Sequence, residues 1–170
     1  MLTLVLATQK GGSGKSTLAI GLALVAMQAG HTVRLIETDS QGTLSNWQAR
    51  RSAAEPIVEP VYNGREIEQR LLLLERSGVT LTIIDTAGGI TAATTEAIRY
   101  ADLCLIPARP SVADIEATAS TSRSPSSSTR RRFAATASAK QRTRLAARCS
   151  TSPTLSRSRS SSCATTIRMR

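Results

Sequence analysis

Nine residues near the amino terminus constrain the fold more than any other part of the chain. Residues 9–17 read Gln-Lys-Gly-Gly-Ser-Gly-Lys-Ser-Thr. They join the apolar run Leu2–Ala7 to Ser16–Ala29, where Leu18, Leu22 and Val25 recur at helical spacing. An unbroken apolar run of that length suits a strand covered on both faces, as in a parallel sheet. Gly30 is placed to end the helix in the left-handed conformation. Between such a strand and helix, a glycine-rich loop can turn its backbone N–H groups toward one point. That point lies at a helix N-terminus, where the helix dipole also favours anions. The segment reads as a phosphate cradle.

The same alternation continues to about residue 120. Thr32–Glu37 reads as a strand, Thr38–Asn46 as a polar loop, Ile57–Val61 as a short strand and Arg65–Arg76 as a helix. Val79–Ile84 is a β-rich run ended by Asp85. Thr91–Tyr100 is helical, Leu103–Pro107 is another strand, and a further helix starts over Val112–Ala119. Strands alternating with helices predict an α/β fold, a doubly wound, mostly parallel sheet with helices on both faces. Ligands of such sheets bind outside the carboxyl ends of the strands. Residues 10–17, 37–41 and 85–89 all fall there. With only 2% aromatics, the core must rest on Leu, Ile, Val and Ala. His31, between a helix end and a strand, reads as structural. Trp47 with Arg50 and Arg51 reads as a solvated helix face.

The net charge of +10 would suggest a nucleic-acid binder, but it is unevenly distributed. Residues 1–120 sum to −2, and residues 121–170 carry 12 basic residues and no acidic one. Those last 50 residues hold 13 Ser, 11 Arg, 8 Thr and 7 Ala, with no Gly, Val, Asp or Glu. No periodicity persists there, and the segment is expected to be disordered for want of apolar surface. Its composition also suggests a GC-rich gene read one base out of register, since Ser, Pro, Thr, Ala, Arg and Cys supply 43 of the 50. The expected division is an incomplete α/β core over 1–120 and an atypical tail over 121–170.

Taken together, the pattern K-G-G-x-G-K-[ST] at Lys10–Ser16 resembles the deviant phosphate loop of the ParA/MinD ATPases, a P-loop family. Glu37-Thr-Asp39-Ser-Gln41-Gly42 is similar to that family's D-x-D-P-Q-G segment, with Glu37 in place of the first aspartate and Ser40 in place of proline. Asp85, ending Thr82-Ile-Ile-Asp, fits the Walker B position. Thr86-Ala-Gly88-Gly89 resembles the switch segment after it. Pro107-Ala-Arg109-Pro-Ser111, followed by Asp114, resembles the later strand-to-helix passage, although a structural turn accounts for it equally well.

The resemblance implies a set of roles. Lys10, Gly11, Gly12, Ser13, Gly14, Lys15, Ser16 and Thr17 would hold ATP. Ser16, Asp39 and Asp85 would hold Mg²⁺. Lys10, Lys15 and Asp39 would carry catalysis, with Lys10 reaching across a dimer to the partner's phosphates and Asp39 positioning the attacking water. It further implies an ATP-dependent homodimer, binding to non-specific DNA, and a ParB-like centromere-binding activator, in plasmid or chromosome partition. A MinD-like positioning ATPase is the alternative within the family. A different class, an inactive truncated product whose basic tail binds nucleic acid, is also consistent with the charge. Cys104, Cys149 and Cys163 have no metal-ligand spacing, and Cys104 reads as a small packed hydrophobe. Neither a signal peptide nor a membrane-spanning run is evident, so the expected place is the cytoplasm, on the nucleoid.

Overall fold

A computed structural model of the chain describes residues 1–109, 111, 112, 114–116 and 118, and the backbone of residues 132–137. Its elements in chain order are β1 (Leu2–Leu6), α1 (Lys15–Gln28), β2 (Val33–Glu37), α2 (Thr43–Ala49), β3 (Ile57–Pro60), α3 (Gly64–Arg76), β4 (Leu81–Asp85), α4 (Ala92–Arg99), β5 (Leu103–Ala108) and β6 (Arg132–Ala137). One sheet runs in the order β3-β2-β4-β1-β5-β6, and every pairing in it is parallel. This is the expected doubly wound architecture.

Both faces of the sheet are covered, which explains why its strands are continuous apolar runs. Alternate residues still separate by face. Val5, Ile36, Ile84, Cys104 and Ile106 pack with Ile67, Leu71 and Leu74 of α3 and Ala97 and Ile98 of α4. Leu6, Leu35, Ile83 and Leu105 pack on the other face with Ala19 and Ala23 of α1 and Leu44 of α2. Each fully buried Ile or Leu among these contributes about 2 kcal/mol of burial free energy. Cys104 is buried, as its apolar neighbours suggested.

Local signals set most element ends. Asn63 caps α3 by accepting from Arg65 N at 3.2 Å, and Thr91 caps α4 by accepting from Thr94 N at 3.0 Å. Gly30, at φ +88°, ends α1. There Gly30 N donates to Met27 O and His31 N to Ala26 O, satisfying two terminal carbonyls. His31 Nδ1 lies 3.2 Å from Thr80 Oγ1, a structural contact.

Three expectations are corrected. The segment Thr38–Asn46 is not a loop throughout, because α2 begins at Thr43. Val25 is 63% exposed, and Ala19 and Ala23 are the fully buried residues of α1. That helix is apolar nearly all round, so spacing alone could not select its inner face. Finally, β6 stands in the tail, where no strand was expected. Averaging over fifty residues hid the run Phe133–Ala137, which has neither charge nor serine. The remaining tail residues, including those on which the expected disorder bears, lie outside the described residues. Of the helix expected from Val112, the described residues 112, 114–116 and 118 are helical. Among the described residues, no helix is long and apolar enough to cross a membrane.

Candidate functional site

The phosphate loop spans the gap between β1 and α1. Gly14 is the N-cap of α1 at φ +87°, a conformation that costs other residues strain, and no side chain caps this helix. Its first-turn N–H groups therefore stay available to an anion. Lys15 begins the helix and is buried. Burial lowers its pKa, and the charges of Asp85 and Asp39 oppose that shift. Ser13 Oγ is buried with no hydrogen-bond partner among the described residues. A site that shelters a lysine and leaves a hydroxyl and several amides unpaired matches the chemistry of a polyphosphate.

Strand register brings the carboxylates to the same place. Asp85 pairs with Leu6 of β1 on one side and with Glu37 of β2 on the other. Burial raises the Asp85 pKa to about 6; a hydrogen bond with Ser16 and the Lys15 charge pull it down, while Glu37 and Asp39 push it up. Asp85 Oδ1 has no hydrogen-bond partner among the described residues. An unpaired buried carboxylate oxygen suits a cation. No group of three or more His, Cys, Asp or Glu among the described residues could hold a metal alone. Magnesium fits such a site, since it takes one or two protein groups and completes its shell with phosphate oxygens and water. Ser16 and Asp85 are the groups at hand. Asp39 is partly exposed, and its Oδ1 accepts from Gln41 N at 3.0 Å. Thus Lys15, Ser16, Asp39 and Asp85 converge.

Glu37 stands beside Asp85 and adds its charge there, but both of its carboxylate oxygens are taken up by α2. Glu37 is fully buried and accepts from Leu44 N at 2.6 Å.

The switch segment lies against the phosphate loop. Thr86 Oγ1 donates to Leu6 O at 2.8 Å and Gly89 N to Thr8 O at 3.1 Å. A Cβ on Gly88 would stand 3.1 Å from Gly11 N and 3.2 Å from Gly11 Cα, so a side chain there would push the two backbones apart by a few tenths of an ångström. The passage after β5 also reaches the loop, although its sequence was equally consistent with a turn. Arg109 Nη2 donates to the Gly12 carbonyl, and Arg109 N donates to Asp114 Oδ2 at 3.0 Å. Lys10 Nζ ion-pairs with Asp114 Oδ1 at 2.6 Å. Lys10 is thus turned toward its own chain. No sequence pattern announces these contacts between residues about a hundred positions apart.

Comparison with known proteins identifies the family and the fold. Maintenance of carboxysome distribution protein A of Gloeobacter kilaueensis is 34% identical over 115 residues, covering 66% of this chain and 51% of that protein. Protein ParA of Rhizobium radiobacter is 29% identical over 114 residues, covering 67% and 51%. The chain spans about half the length of the curated relatives it matches. The MinD cell division protein of Aquifex aeolicus superposes with a TM-score of 0.64 at 18% identity, over 86% of this chain and 74% of that one, a likeness of fold. The family model of the CobQ/CobB/MinD/ParA nucleotide-binding domain matches residues 4–152, well past the stretch in which motifs can be read. The chain belongs to the CobQ/CobB/MinD/ParA nucleotide-binding domain family.

Proposed function

We propose that the chain is a ParA-like ATPase that binds ATP with Mg²⁺, dimerises on it and hydrolyses it to partition a plasmid or chromosome on non-specific DNA. The observation that carries this reading is the convergence of Lys15, Ser16, Asp39 and Asp85 behind a glycine loop at the carboxyl ends of three neighbouring strands. Amides of Gly11–Thr17 cradle the phosphates, and Lys15 sets its charge against the β- and γ-phosphates. Ser16 and Asp85 hold Mg²⁺, with Asp39 beside them. When bound, the metal neutralises charge that develops on the phosphate oxygens. Asp39 orients the attacking water. Lys10 leaves Asp114 to reach a partner's phosphates, and a ParB-like protein stimulates turnover.

A second reading changes the cargo and not the chemistry. The 34% identity to a carboxysome-distribution protein supports a MinD-like positioning ATPase that spaces a protein assembly. Both readings share one test. The full chain is assayed for phosphate release from ATP with Mg²⁺, with and without DNA, beside Lys15→Ala. Release that falls at least about a hundredfold in the variant supports an ATPase. Equal release from the two chains, or none from the parent, rejects it. Retention on DNA only with ATP favours partition, and ATP-independent retention points to the basic tail instead.

A further inference from the structure

We infer that Glu37 is a positioning residue, whose side chain closes the loop carrying Asp39 and thereby fixes where Asp39 stands beside the phosphate loop. Its kinetic consequence rests on the ATPase reading; the loop closure rests on geometry alone.

Glu37 is the last residue of β2 and has no exposed surface. Its Oε1 accepts from Leu44 N at 2.6 Å, and its Oε2 accepts from Ser45 N at 3.2 Å and Ser45 Oγ at 2.5 Å. Leu44 and Ser45 lie in the first turn of α2, whose N-cap, Gly42, offers no side chain. Glu37 thus supplies from the strand end the cap that Gly42 lacks, with its negative charge at the positive end of the helix dipole. The chain leaves the sheet at Glu37, turns through Asp39, enters α2 and is tied back to Glu37.

The other side of the loop is tied as well. Thr38 N donates to Asp85 O at 3.0 Å. Inside the ring, Asp39 accepts from Gln41 N through its side chain and from Gly42 N through its carbonyl, at 3.0 and 3.1 Å. The two ends of this segment are thus tied to two strand-end acids, Asp85 at Thr38 and Glu37 at Leu44 and Ser45. Hydrolysis depends on placing a carboxylate to within a fraction of an ångström, so a loosened loop costs rate before it costs phosphate affinity.

The change Glu37→Gln tests this by altering the carboxylate and little else. One oxygen becomes an NH₂ facing N–H and O–H donors, and the charge is lost. Ser45→Ala removes one of the three bonds and leaves the carboxylate in place. Trp47 is the chain's single tryptophan; it lies on α2, so its fluorescence reports on that helix without reference to activity. In the full chain, Glu37→Gln should raise acrylamide quenching of Trp47 by about twofold and lower kcat by about tenfold or more, with KM and binding of a fluorescent ATP analogue moved less than about threefold. Ser45→Ala should move the same quantities the same way by less, and it carries the test if Glu37→Gln does not fold. Unchanged quenching in the variants would overturn the inference, as would nucleotide affinity falling in step with kcat. If the parent hydrolyses no ATP, the functional reading fails, while the quenching comparison still decides the loop closure.

Discussion

The Lys10 ammonium stands 2.6 Å from Asp114 Oδ1 of the same chain. Asp114 is buried and Lys10 is half-exposed, so the acid is the fixed member and the lysine the tethered one. A hydrogen bond from Lys10 holds the Asp114 carboxyl below the usual carboxylate range. For Lys10 to serve a partner's phosphates, it must exchange this anion for another.

Replacing Asp114 by Asn keeps an acceptor for Arg109 N and removes the competing charge. ATP-dependent dimerisation should then strengthen by about threefold to tenfold, since half-exposed ion pairs are weak. Lys10→Ala should instead abolish the dimer while the monomer keeps its ATP affinity within about threefold, because Lys15 remains. Sedimentation with a non-hydrolysable ATP analogue measures both. A weaker dimer in Asp114→Asn, or equal nucleotide loss in Lys10→Ala and Lys15→Ala, would remove the trans role from Lys10.

Asp39→Ala removes the carboxylate that the proposed function assigns to orienting the attacking water. ATP affinity should persist while kcat falls by about a hundredfold, the scale of a lost proton-handling group. The expected species is a dimer that retains ATP, visible by size-exclusion chromatography with bound-nucleotide analysis. Turnover at the parent rate would make Asp39 an ordinary loop residue.

Asp85 should destabilise the protein when neither nucleotide nor a divalent cation is present. Burial holds its carboxyl protonated up to about pH 6 in the fold, against 3.8 for the free group. The folded state therefore binds more protons between these values, and stability falls as pH rises through about 6. Asp85→Asn escapes this penalty and should be more stable than the parent at pH 7.5 by about 1–3 kcal/mol. The advantage should shrink as pH falls toward 4. Thermal melts at both ends of that range check the sign, and an Asp85→Asn chain that melts lower at pH 7.5 contradicts it.

Gly88→Ala places a methyl group against Gly11 backbone atoms, and backbone cannot yield as a side chain does. The switch segment must then draw back from the phosphate loop. ATP affinity should fall by about tenfold, with a stability loss of about 1–3 kcal/mol from overpacking. Isothermal titration and thermal melts read the two effects. A Gly88→Ala chain with parental affinity would show that the two backbones need not touch for binding.

What the sequence revealed and what it withheld follow from the range of each interaction. β1 and β4 are short apolar runs ended by a glycine loop and by Asp85, so both strands and their carboxyl ends were legible. The phosphate loop was legible because its glycines and Lys15 are contiguous. The start of α2 was not, because its cap comes from Glu37, outside the helix, while its own N-cap is a bare glycine. Val25 misled because an all-round apolar helix carries no directional pattern. The Arg109–Gly12 and Lys10–Asp114 contacts depend on sheet order, which places β5 beside β1 and which no local spacing encodes.

That order also dictates a timetable for synthesis. β1 is made first, yet its neighbours are β4 and β5: Leu2 pairs with Leu81, and Leu4 with Leu103. β2 and β3 can pair much sooner, through Arg34 and Ile57. At ordinary elongation rates the first strand waits on the order of ten seconds for β4 to leave the ribosome. Until then the glycine loop has no rigid base, and closing so long a span carries an entropic cost that only the completed pairings offset. Nucleotide can therefore not template the nascent chain; it arrives as the ligand of a sheet whose centre has already formed.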